Sequence, residues 1–214
     1  MKNKLFVVAG LMMACMGASA QNYFGVTAGY NLSNRSFDEE FQSDAVEYSY
    51  RSGFNAGIAY EHRFNASENK NYMFLDASFL YSLQGFHYKY DIGKEIFNAY
   101  EKGDYEVAPT GKEPVYDENV DIKYLKLPVS FGYNFQLGEK FGLAPKVFGI
   151  LKTRVDMSHG SIGAKYVEFA FGAGANLNIG EKFQVGLGYD WDPSYRDMVD
   201  GNAHVNLTYY IFSK

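Results

Sequence analysis

The side chains of this sequence whose types and spacing could do chemistry are four histidines, their neighbouring serines and a set of carboxylates. His159 sits beside Ser158 and two residues before Ser161 in the segment MSHGS. Nucleophilic acyl chemistry needs a serine within hydrogen-bond reach of a histidine, and the histidine oriented by a third group. A flexible glycine-containing loop does not fix that geometry, so loop and lumen hydrogen bonding is the reading taken for His159 and equally for His62, His87 and His204. Glu168, Asp190 and Asp192 have the acidity for acid/base work, but their segments also carry cations, which favours ion pairs. The acidic runs DEE (38–40) and DENVD (117–121) offer oxygens to calcium without a fixed ligand spacing or a turn glycine. There is no phosphate-binding glycine loop, zinc spacing or dinucleotide fingerprint. The sequence therefore assigns no catalytic, cofactor-binding or metal-ligating residue, and no cofactor is expected.

The first twenty residues bear on the compartment. Lys2 and Lys4 precede the apolar run LFVVAGLMMACMG, and ASA precedes Gln21, the pattern of a cleaved secretory signal. Residues 1–20 are read as that signal and 21–214 as one domain. Cys15, the single cysteine, would leave with the signal, so the mature chain would have no thiol. Losing Lys2 and Lys4 moves the formal charge from −5 to −7. That balance, with no basic cluster, argues against nucleic acid as a partner. Aromatics at 18% with 22 glycines and 5 prolines suit many strands with close backbone packing.

Those strands are visible as alternation. Phe24, Val26, Ala28 and Tyr30 alternate with Gly25, Thr27 and Gly29, and Leu125, Leu127, Val129 and Phe131 alternate with Lys126, Pro128 and Ser130. The same period recurs eight times, in stretches of about ten residues, which is the length a tilted strand needs to cross a bilayer. Short connections (NASENKN, LGEK, GEK) alternate with longer ones through about 33–52, 86–120, 157–164 and 193–202. Short turns at one rim and long loops at the other are the habit of outer-membrane barrels.

Which face points inward follows from size and charge. Strand glycines such as Gly25, Gly57, Gly132 and Gly174 share the polar face, and the interior of an eight-stranded barrel is just wide enough for side chains to fill. The apolar face is free of Asp, Glu, Lys and Arg in the centres of the spans. Glu61, Asp76, Glu168, Asp190 and Asp192 share the polar face with Arg63, Lys126, Lys146, Lys152 and Arg154, five of each sign, which predicts a paired network in the lumen. The fold class read from these patterns is all-β: an eight-stranded antiparallel transmembrane β-barrel of the outer-membrane type. A secreted lipocalin-like barrel would turn the apolar face inward, against the placement of the glycines.

At YLKLPVSFGYNF, residues 124–135, the chain resembles the PorT-like outer-membrane β-barrel family of Bacteroidota, with Tyr124, Leu125, Leu127, Pro128 and Val129 on its mid-chain strand pattern. FGVTAGYNLS (24–33) is similar to that family's first strand. The resemblance implies an outer-membrane location in a Gram-negative bacterium and no particular activity. One departure is at the end, where Phe212 sits one residue out of phase with the outward face and is followed by Ser213 and Lys214.

The function read from the sequence is non-enzymatic: a structural or binding role through long extracellular loops. The alternative is a lipid A-modifying barrel enzyme, of which the palmitoyltransferase and the deacylase are the models, although His204-Val205-Asn206 departs from the deacylase's His-x-Ser-Asn. The expected partners are outer-membrane lipid, the barrel-assembly machinery and an extracellular or envelope protein. The loop 86–120, far longer than closure requires, is expected to meet that protein through Tyr88, Tyr90, Tyr100, Tyr105 and Tyr116.

Overall fold

A computed structural model describes residues 21–37, 43–64, 66, 71–157, 167–195 and 198–213. The alternating segments form eight strands: β1 (Gln21–Phe37), β2 (Val46–Phe64), β3 (Tyr72–Asp91), β4 (Val115–Gln136), β5 (Phe141–Met157), β6 (Val167–Ile179), β7 (Phe183–Tyr195) and β8 (Met198–Ser213). Among the described residues a helix, α1 (Ile92–Glu101), lies between β3 and β4. Each strand pairs antiparallel with its sequence neighbour and β8 closes on β1, which removes the edges an open sheet would expose.

The short-turn rim is built by local chemistry. The Leu137 amide donates to the Phe141 carbonyl across LGEK at 2.8 Å. In GEK, Gly180 adopts φ +63°, where a side chain would strain the backbone. Inside the barrel, a Cβ on Gly57 would stand 1.9 Å from the Phe79 carbonyl oxygen, and one on Gly174 2.1 Å from that of Leu187. Glycine is therefore what lets the wall curve this tightly.

The alternation places Val26, Ile58, Phe79, Leu127, Phe171 and Leu207 outward and exposed, while Asn55, Asp76, Lys126, Lys152, Asn176 and Asp190 are buried in the lumen. This arrangement reverses a soluble barrel and matches an apolar solvent outside. The lumen is not only small and polar: Phe74, Tyr124, Phe148 and Tyr210 also lie within it and fill it.

Three expectations need correction. The strands are 13 to 22 residues long, not about ten, with β2, β3 and β4 the longest at 19, 20 and 22. The stretch 86–120 is mostly not loop: 86–91 continue β3, 92–101 form α1 and 115–120 begin β4. Strand also occupies most of what was read as loop at 33–52 and 193–202. Phe212, finally, is in phase with the outward face. The β1–β8 register steps from Phe24↔Phe212 to Gly25↔Tyr210, a bulge at Ile211 that resets the alternation and leaves Phe212 70% exposed. The signal, Cys15, residues 158–161 of MSHGS and DEE lie outside the described residues.

Candidate functional site

The ten charged residues singled out above meet one another in the lumen. Lys126 Nζ lies 3.8 Å from Asp190 Oδ2, and Lys146 Nζ lies 3.3 Å from Asp76 Oδ2. Lys152 Nζ bridges Asp192 Oδ2 at 2.5 Å and Glu168 Oε2 at 3.6 Å, and Arg154 Nη2 donates to Glu168 Oε1 at 2.8 Å. Arg63 Nε donates to Glu61. Neutral groups complete several of these contacts: Ser130 Oγ donates to Asp76 at 2.6 Å and Asn202 Nδ2 to Asp190 at 2.8 Å. Taking so many charges out of water is tolerable only when each is paired and hydrogen-bonded. Neighbouring strands supply the partners because the inward positions of β4, β5, β6 and β7 are brought level by the register: Lys126↔Lys152↔Glu168, and Gly172↔Asp190.

Two plugs bound this network. Toward the short turns, the Arg63 guanidinium lies 3.6 Å from the centre of the Tyr23 ring, with the Tyr72 and Tyr210 rings beyond it, and Tyr210 Oη donates to Glu61 at 3.0 Å. Toward the long loops, Phe86, Val120, Ile122 and Tyr124 form an apolar cluster. Arg35 lies over the Phe86 ring at 4.4 Å and donates two bonds, of 2.8 and 2.9 Å, to the Asp200 carboxylate. Arg35 and Asp200 were missed because they fall where the sequence was read as loop. Between the plugs lies a cavity of about 60 Å³ lined by Thr27, Asn55, Lys126, Asn176, Asp190 and Tyr210 among others, room for roughly four waters.

The tyrosines singled out above are not gathered on one loop. Tyr88 and Tyr90 are on β3, Tyr116 is on β4, Tyr100 is on α1, and Tyr105 follows it. Tyr90 and Tyr116 are cross-strand partners whose rings stack at 6.4 Å, whereas Tyr100 and Tyr105 are exposed farther out. The helix is begun by Asp91, whose side chain accepts from the Lys94 amide, and is tied to the residues before β2 by Lys94 Nζ to the Asp44 carbonyl and by Ser43 Oγ to Glu95. Three histidines are described. His62 meets Asn22 at 2.9 Å, His87 meets Asn119 at 3.2 Å and Asp117 at 3.4 Å, and His204 meets Asp190 at 3.3 Å.

This geometry is matched at the family level. The family model described as an outer membrane protein beta-barrel domain fits residues 6–210. The chain belongs to that family. It is an outer-membrane protein of a Gram-negative bacterium, and the outward apolar face of the barrel meets lipid. No curated protein matches the chain. Among solved structures, Ail, the attachment invasion locus protein of Yersinia pestis, in complex with the heparin analogue sucrose octasulfate, is 17% identical over 90% of this chain and 99% of that one, with a TM-score of 0.45. Neisserial surface protein A is 14% identical over 87% and 96%, with a TM-score of 0.40, and OprG from Pseudomonas aeruginosa is 7% identical over 89% and 92%, with 0.36. The family assignment stands on the family model, and these distant likenesses carry none of it.

The membrane assignment explains a change along the long strands. On β4 the outward residues run Asp117, Asn119, Asp121, Lys123 and then Leu125, Leu127, Val129, Phe131, while the inward ones run Tyr116, Glu118, Val120, Ile122, Tyr124 and then Lys126, Pro128, Ser130. β3 changes likewise at Gly85, from outward Phe79, Tyr81 and Leu83 to His87 and Lys89. Outward charge is costly in hydrocarbon and harmless in water. The outer barrel rim therefore leaves the bilayer near Leu83 and Lys123, and β2, β3 and β4 continue beyond it as a projecting sheet.

Proposed function

We propose that this outer-membrane barrel is a non-enzymatic binding protein, of the PorT-like kind, whose partner engages the part of the molecule that projects beyond the membrane. The observation that carries this reading is the contrast between its two halves. The lumen is filled and plugged at both ends, whereas the β2–β3–β4 projection presents partly exposed aromatic side chains well past the roughly ten residues a strand needs to cross. The engagement of each described histidine by an amide or a carboxylate supports a structural role for these rings. The Tyr124-Leu125-Lys126-Leu127-Pro128-Val129 pattern supports the PorT-like assignment, and Lys2, Lys4 and the apolar run after them support removal of residues 1–20. Outward Phe212 at the end of β8 supports handling by the barrel-assembly machinery.

The test is to replace residues 86–120 with a short Gly/Ser turn joining Gly85 to Asp121, which are register partners. A folded barrel that migrates faster in unboiled than in boiled gel samples is expected, together with loss of the proteins co-purified with the full chain from outer membranes. Co-purification unchanged by the replacement would defeat the proposal.

A further inference from the structure

The register of the projecting sheet sorts its side chains onto two unlike faces. Val46, Tyr90 and Tyr116 form one row, Tyr48, Tyr88 and Glu118 the next, and both lie on the face that continues the lumen side. The opposite face carries Glu47, Lys89 and Asp117, then Ser49, His87 and Asn119. The first face is therefore aromatic, with one carboxylate set among four tyrosines. Its base is closed: Tyr48 meets the Phe86 ring at 5.8 Å and Tyr88 packs against the cluster of Phe86, Val120, Ile122 and Tyr124. Its upper row is open, with Tyr116 at 44% exposure, and Tyr48 in the row below keeps 36%.

The charge at this face is negative. Burial raises the pKa of the Tyr88 phenol, and the Glu118 carboxylate beside it, which accepts its hydrogen bond, raises it further. The cation below, Arg35, is held by both oxygens of Asp200. The surrounding segment 86–120 has eight acidic residues against four lysines. Tyrosine faces attract cations, and the carboxylate adds a direct partner for one. Rows on a strand repeat every two residues, about 6.6 Å, the same spacing as alternate side chains of an extended peptide.

Resting on the binding role proposed above, we infer that this aromatic face binds an extended polypeptide segment bearing lysine and arginine side chains. The test uses the whole barrel in nanodiscs of zwitterionic lipid, empty nanodiscs as blank, and a ten-residue peptide alternating glycine with Lys or Arg. Calorimetry should show binding that weakens with salt, and a Gln-for-Lys/Arg version of the peptide should bind at least about tenfold more weakly. Glu118→Gln, Tyr90→Ala and Tyr116→Ala should each weaken the Lys/Arg peptide by about fivefold while the barrel keeps its fast migration in unboiled gels. Equal binding of the Gln peptide, unchanged affinity in all three variants, or preference for a sulfated oligosaccharide would overturn the inference. If the 86–120 replacement loses its co-purified proteins while the intact barrel ignores the cationic peptide, the binding role stands and the cationic partner falls.

Discussion

Ser33 shows how a single hydroxyl repairs the barrel where the ladder fails. The β2–β3 register skips one residue between Tyr50 and Asn55, and Gly85 faces the gap. Ser33 Oγ, reaching from β1, accepts from the Gly85 amide and donates to the Gly85 carbonyl, both at 2.8 Å. Ser33→Ala leaves that buried amide and carbonyl without these bonds and should cost about 1 to 3 kcal/mol, measured as a lower urea midpoint for loss of the fast-migrating band. Arg154 is the second case. Its removal takes one partner from Glu168, which keeps Lys152. Breaking a buried pair from one side typically costs about 3 to 5 kcal/mol, so Arg154→Ala should fall near the lower figure. An unchanged heat transition would mean that water has replaced the guanidinium. A third group lies beyond the membrane. The Glu113 carboxylate accepts from the Thr110 amide at 2.7 Å and its hydroxyl at 2.8 Å, bonds that hold its pKa down to about 2. A carboxyl whose pKa is depressed by folding steadies its turn above the unfolded value, about 4.3, and loses that effect as pH falls toward the folded one. The Thr110 amide resonance should accordingly shift with a midpoint near 2, and a midpoint near 4 would show that the turn does not persist in solution.

The strands, as elements, carry two messages in one alternation. Within the membrane span the odd positions of β4 are apolar and outward; beyond Lys123 the apolar set moves to the even positions. Reading that follows the apolar set alone stops where it changes sides, which is why the strands were legible in number, order and facing yet were expected at about ten residues. The period persists through the change because the backbone does not notice which solvent lies outside. The same error hid the Arg35–Asp200 and Arg51–Asp121 pairs, both at the end of spans taken to be finished. Helix α1 was legible in principle: Asp91 as cap, then Ile92, Ile96 and Ala99 at helical spacing. The bulge that turns Phe212 outward had no signal in the sequence, since an extra residue in β8 shows only against β1. Single cysteines on the outward positions of β4 test the membrane boundary. A water-soluble maleimide should label 117, 119 and 121 and spare 125, 127 and 129; labelling that continues through 127 would remove the assigned span. Leu127→Arg should cost about 2 to 4 kcal/mol if it lies near the midplane, whereas Ser130→Arg should fail for a different reason, crowding among Asp76, Lys126 and Lys146 in the filled lumen.

At the scale of the whole molecule, the two plugs divide the barrel axis into compartments. Arg63, with Tyr23, Tyr72 and Tyr210, closes the rim of short turns, and Arg35, with Phe86 and Asp200, closes the outer end. The chamber between them, about 60 Å³, is too small for an organic ligand. The wild-type barrel should therefore hold planar bilayers without steady ion conductance. Opening one end is not enough: Arg35→Ala with Phe86→Ala admits water from outside as far as the Lys126–Asp190 and Lys152–Asp192 pairs, while Arg63 and its rings still block the far rim. That double variant should unfold at lower temperature, because Asp200 loses its partner, and should remain electrically silent. Adding Arg63→Ala should be the first change to produce conductance, and the current should be cation- or anion-selective according to which of the lumen charges the water leaves unpaired. Steady conductance in the wild type, or in the outer-plug variant alone, would show that the rim around Arg63 is not a seal.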